Sequence, residues 1–173
     1  MAANLLIINI MMKSSITIRH ITSADNAIIA QIIRASLTEF GAAKPGTVYY
    51  DESTDRLSEV FSLSRSIYYI AEQDGEILGG AGIYPTEGLD HSTCELVKMY
   101  LRPQARGLGL GKMLMNQCID FASKNGFNKI YLETLPELSL AIGLYEHMGF
   151  ERLSAPLGAS GHFGCGIWMA KDI

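Results

Sequence analysis

The segment 97–114 constrains this chain more than any other. It reads as an apolar strand ending at Leu101, a turn containing Pro103, and then Gly107, Gly109 and Gly111 at alternate positions opening an amphipathic helix. A strand, a glycine-rich loop and a helix in that order build an anion site. Glycine lets the backbone approach a ligand without interference from Cβ, and the first helical turn offers unpaired N–H groups at the positive end of the dipole. Arg106 and Lys112 add formal charge at the two ends of the loop, so a diphosphate is the natural guest.

Two common diphosphate loops fail here. A P-loop needs Gly-x-x-x-x-Gly-Lys followed by Ser or Thr, but position 106 is Arg and position 113 is Met. A dinucleotide fingerprint needs Gly-x-Gly-x-x-Gly, and its third glycine falls on Lys112 from Gly107 and on Leu114 from Gly109. The formal net charge of −4 gives no electrostatic case for nucleic acid or an anionic membrane as partner. A length of 173 residues suits one domain with a substantial core. Cys94, Cys118 and Cys165 are an odd number at no metal-ligand spacing, which reads as three reduced, buried thiols in a cytoplasmic protein. His20, His91, His147 and His162 are scattered and read as surface or satisfied core residues, and no metal site is expected.

Periodicity supplies the remaining elements. Residues 15–20 alternate as a half-buried strand. Thr22 or Ser23 caps a helix in which Ile28, Ile29, Ile32, Ile33 and Leu37 recur at helical spacing, ending near Gly41. Residues 51–61 read as a shorter helix, and 67–72 and 77–84 as strands joined by a turn whose Asp74-Gly75 is a hairpin signal. A fourth strand at 94–101 leads through the glycine loop to a helix at 108–124, with Leu110, Leu114, Cys118 and Phe121 on one stripe. A strand at 129–134, a helix at 137–148 and a last strand within 163–170 complete the order. The expected fold is mixed α/β, a central mixed sheet with helices on both faces.

The residual motif, Arg106-x-x-Gly109-x-Gly111, resembles the Arg/Gln-x-x-Gly-x-Gly/Ala signature of the GNAT superfamily, the acetyl-CoA-dependent N-acetyltransferases. The run Ala141-Ile142-Gly143-Leu144-Tyr145-Glu146-His147-Met148-Gly149-Phe150 matches that family's Ala-x-x-Leu-Tyr-x-x-x-Gly-Phe pattern. The resemblance covers about residues 15–171 and implies the family's mostly antiparallel sheet. It also implies acetyl-CoA as cosubstrate, with its pyrophosphate on the backbone of Arg106, Gly107, Leu108, Gly109, Leu110, Gly111 and Lys112. The pantetheine arm would pair with the backbone of Met99, Tyr100 and Leu101 as an added strand would. Tyr145 would stand near the sulfur as general acid. Two carboxylates are candidate bases: Glu95, at the position used by the histone-acetyltransferase branch, and Glu133, at that used by ribosomal-protein N-terminal acetyltransferases. One departure from the pattern is Leu138, where many members carry Asn; Ser139 is the candidate replacement for that polar contact. The segment 154–164 and the pair Tyr49-Tyr50 are candidates for the acceptor wall.

The expected activity is transfer of acetyl from acetyl-CoA to a primary amine of a small molecule or peptide, by a monomer or homodimer. The alternative is a non-catalytic acyl-CoA-binding sensor, which retention of Glu95, Glu133 and Tyr145 argues against. Residues 1–14 read as an extension before a single domain at 15–173: an extra edge strand, or a start that really falls at Met11 or Met12. The apolar stretch within it is shorter than the ~18 residues a membrane span needs, and it lacks the marks of a secretory leader.

Overall fold

The computed structural model describes residues 15–173, so the reading of 1–14 as an extension lies outside the described residues. Seven strands form one sheet: β1 (Thr17–His20), β2 (Ile67–Gln73), β3 (Glu76–Tyr84), β4 (Thr93–Leu101), β5 (Lys129–Thr134), β6 (Glu151–Arg152) and β7 (Ile167–Asp172). Their order across the sheet is β1-β2-β3-β4-β5-β7-β6, and every neighbouring pair is antiparallel except β4 with β5. The sheet is therefore mixed and mostly antiparallel, as expected. The helices are α1 (Asn26–Glu39), α2 (Leu57–Val60), α3 (Leu110–Lys124) and α4 (Ser139–His147).

Side chains alternate across β2 and so feed two cores. Ile67, Tyr69 and Ala71 join the cluster under α3, whose Leu110, Leu114 and Cys118 are fully enclosed. Tyr68 and Ile70 face the opposite way, against Ile29, Ile33 and Leu37 of α1. Helices thus cover both faces. Ile28 departs from its expected place on the buried stripe and is exposed.

Three elements differ from the reading of the sequence. The segment 51–61 is a 3-10 turn (Glu52–Arg56) running into the single turn of α2. Its Thr54 hydroxyl bonds back to Val48 O at 3.1 Å, the local competition that keeps Ser, Thr and Asp out of helix interiors. α4 begins at Ser139 rather than 137, with Glu137 instead held by Lys44 at 2.8 Å. Strand β6 has two residues, too few to show a period.

The feature that positions the site lies in β4. Its parallel pairing with β5 stops at Glu95 opposite Tyr131, while β4 itself runs on to Leu101 along β3. Against β3, Gly82 faces Val97 and Gly80 faces Tyr100, so Lys98 and Met99 together oppose Ala81. This is a β-bulge, and Lys98 carries its positive φ of 50°. Tyr68 OH donates to Lys98 O at 2.7 Å, and the Lys98 ammonium reaches Asp51 at 3.0 Å, which fixes the strained residue from both ends. Beyond Glu95 the two parallel strands separate and a wedge opens between them.

Candidate active site

The wedge holds a cavity of about 630 Å³, bounded by β4 from Glu95 to Leu101, the end of β5, the glycine loop and one side of α4. Gly107 and Gly109 have φ of 74° and 80°, and a Cβ added at either would meet nothing within 4 Å. Both backbones therefore stand open. Gly109 is the N-cap of α3, and the first helical bond runs from Met113 N to Gly109 O at 3.1 Å. The N–H groups of residues 110–112 precede that bond and are the orphan donors of the helix start. Gly111 serves packing: a Cβ there would stand 2.9 Å from a Leu144 methyl and 3.3 Å from Met99 Cε.

The expected cofactor residues divide by what they present. Met99, Tyr100, Leu101, Arg106, Gly107, Gly109, Gly111, Lys112 and Tyr145 all line the cavity. Leu108 turns its side chain to solvent and Leu110 buries its own, so these two offer backbone alone. Arg106 differs most from expectation. Its guanidinium bonds Glu39 at 2.8 and 2.9 Å, donates to Leu101 O at 3.0 Å and lies over the Phe40 ring. Its charge is matched, so the loop's attraction for anions rests on backbone N–H groups and on Lys112 at the rim. Leu138 lines the cavity and Ser139 does not.

Glu95 is buried in the wedge, with Thr86 donating to its Oε2. Burial pushes its pKa up to about 7, and the neighbouring Glu133 adds to the rise. Glu133 accepts from Tyr131 OH at 2.7 Å on one oxygen and from Ser160 Oγ at 2.8 Å on the other, so its orientation is fixed. Tyr145 is buried against Phe150, and its hydroxyl makes no hydrogen bond among the described residues. Burial raises its pKa well above the usual phenol value.

The fold brings in a group that no sequence pattern marks. A ring nitrogen of His162 and one carboxylate oxygen each from Glu95 and Glu133 all lie within 4.8 Å of one another. His162 Nε2 is 3.0 Å from Asp51 Oδ2, which also accepts from Lys98 Nζ at 3.0 Å. Ser160 and His162 come from the segment 154–164, of which His162 lines the cavity. Of the 47–50 loop, Thr47 and Val48 line the cavity and the tyrosine pair does not. No spacing in the sequence marks His162, Asp51 or Lys98, because three separate loops and strands supply them. Cys94 and Cys118 are buried free thiols as expected; Cys165 is half-buried in the cavity wall.

The acetyltransferase (GNAT) family matches residues 29–150 of this sequence. The chain is 40% identical over 156 residues to the uncharacterized N-acetyltransferase YjgM of Escherichia coli K12, covering 90% of this chain and 93% of that one. It is 28% identical over 120 residues to human N-acetyltransferase 8B, covering 65% of this chain and 53% of the relative. Among solved structures, yncA of Salmonella typhimurium with its cofactor acetyl-CoA superposes with a TM-score of 0.73 at 22% identity, covering 92% and 94% of the two chains. PaiA N-acetyltransferase of Thermoplasma acidophilum in complex with coenzyme A gives 0.70 at 18% identity, covering 92% and 99%. The chain belongs to the GNAT acetyltransferase family and is an acyltransferase.

Proposed function

We propose that this chain transfers an acetyl group from acetyl-CoA to a primary amine of a small molecule or peptide, with Glu95 as the base. The observation that carries this reading is a deeply buried carboxylate with a pKa of about 7, in a wedge that also holds an open glycine loop. An alkylammonium near pKa ~10 is almost wholly protonated at neutral pH and must lose a proton to become a nucleophile. A carboxylate poised near the working pH accepts it far better than an ordinary one. Glu133, both oxygens fixed, faces the same space and orients the ammonium or the water beside it. The chain fits the cofactor: the loop N–H groups suit a diphosphate, and the β4 edge at Met99 and Tyr100 has no strand partner on the β5 side. When bound, acetyl-CoA supplies the acetyl group as an activated thioester. Tyr145 keeps its phenolic proton at neutral pH, the state required of a donor to a developing thiolate.

A panel of amines and peptides, incubated with acetyl-CoA and a thiol reagent, tests this reading. The expected result is amine-dependent release of CoA with an acetylated product. Tight binding of acetyl-CoA with no release for any amine would favour the non-catalytic sensor. No helix among the described residues is long and apolar enough to cross a membrane.

A further inference from the structure

We propose that His162, held by Asp51, carries the acceptor's proton from Glu95 to bulk solvent through one intervening water. The proposal rests on the reading of Glu95 as the base. Converting an alkylammonium and a thioester into an amide and a thiol releases one net proton per turnover. The ammonium loses two protons, the departing sulfur takes one, and the other must leave the site. Glu95 is 3% exposed and cannot discharge to solvent directly.

An outward route of rising exposure leads through His162 and Asp51. The His162 side chain is 17% exposed and that of Asp51 is 29% exposed. His162 makes no direct hydrogen bond to either glutamate among the described residues, yet its ring nitrogen lies within 4.8 Å of both. That gap is the span of a single bridging water. The ring is fixed by its surroundings. Its backbone N–H donates to Ser160 Oγ at 3.1 Å, and the same hydroxyl donates to Glu133.

Asp51 sets the tautomer. Burial pushes its pKa up, but the hydrogen bond from His162 and the charge of Lys98 outweigh that and hold it at about 2. An ionised Asp51 keeps the proton on Nε2 and leaves the lone pair on Nδ1. The step then balances. An N–H bond of the acceptor breaks as the Glu95 O–H forms. That proton passes through the water to the imidazole, and the imidazolium returns one proton to bulk solvent. The titratable groups around the ring are Asp51, Glu95, Glu133, Lys98 beyond Asp51, and Cys165, whose N–H bonds His162 O at 2.9 Å. Lys98 and Asp51 are positioning residues here.

The test uses the full chain with His162→Gln, His162→Ala and Asp51→Asn, and two readouts. In the first, turnover is followed against pH at saturating acetyl-CoA. His162→Gln is expected to lower kcat on the order of 10-fold near neutral pH with the KM for acetyl-CoA unchanged, and Asp51→Asn by less. Added imidazole should restore part of the loss in His162→Ala, which a structural role would not allow. In the second, the Glu95 carboxyl is titrated by NMR in protein labelled at glutamate, without any acceptor. Its midpoint should move to higher pH in His162→Gln, because the imidazolium form of His162 favours the ionised carboxylate. An unmoved Glu95 midpoint, or an unaltered pH profile in both His162 variants, overturns the relay. If the native chain acetylates no amine, the proposed function falls, and the titration alone still decides whether His162 and Glu95 are coupled.

Discussion

Glu95 is placed where catalysis and stability pull in opposite directions. Its pKa rises from 4.5 to about 7 on folding, chiefly through burial. The folded chain therefore keeps this proton to a higher pH than the unfolded chain does. The stability tied to it is fully present below about pH 4.5 and is lost as pH rises through about 7. Glu95→Gln removes that loss. The variant should exceed the native chain in stability at pH 8 by up to about 3 kcal/mol, read from denaturant melts at pH 5 and pH 8. Its turnover should fall at neutral pH and recover partly at high pH, where free amine is abundant. Glu133→Gln should show a smaller form of the same pattern, and a full defect there with Glu95→Gln silent would exchange the two roles. Tyr145→Phe removes a hydroxyl without a hydrogen-bond partner among the described residues, so the core should tolerate it. A loss on the order of 10²-fold in kcat with little change in coenzyme affinity is expected, measured by steady-state kinetics beside a binding titration.

At the scale of elements, the glycine loop and the β4 bulge do different work. The loop was legible because its requirement is local: positive φ, no Cβ, and a helix start, all written within 107–111. Replacing Gly109 by Leu should strain a residue at φ 80° and fill the space before α3, whereas Lys112→Ala removes one solvated charge. Calorimetry with CoA should show a much larger affinity loss for the first; equal, small losses would move the diphosphate elsewhere. The bulge was not legible. Lys98 takes its left-handed conformation because Tyr68, Asp51 and Thr54 grip it, and those partners come from β2 and from the segment before α2. Arg106 illustrates the same limit. Its position in the motif is visible in the sequence, but its pairing with Glu39 across 67 positions is not.

Across the whole molecule, long periodic elements and both cores followed from the spacing of apolar residues, because burial of one face is a repeated, local signal. The separation of β4 from β5 depends on where a parallel pairing ends, and that is a property of two strands whose paired residues, such as Glu95 and Tyr131, lie far apart in the sequence. The Glu95 end of the wedge depends on still more distant contacts. Glu95, Glu133 and Tyr145 were visible through the family pattern, while Asp51, Lys98 and His162 had no pattern to carry them. In the proposed function one wedge both holds acetyl-CoA and removes a proton from an amine. The most direct test is mass analysis of the amine and peptide panel after incubation with acetyl-CoA, for the native chain and Glu95→Gln at pH 7 and pH 9. The expected result is an acetylated amine with the native chain, a marked loss in Glu95→Gln at pH 7, and a smaller loss at pH 9. Equal product from both chains at both pH values would contradict it.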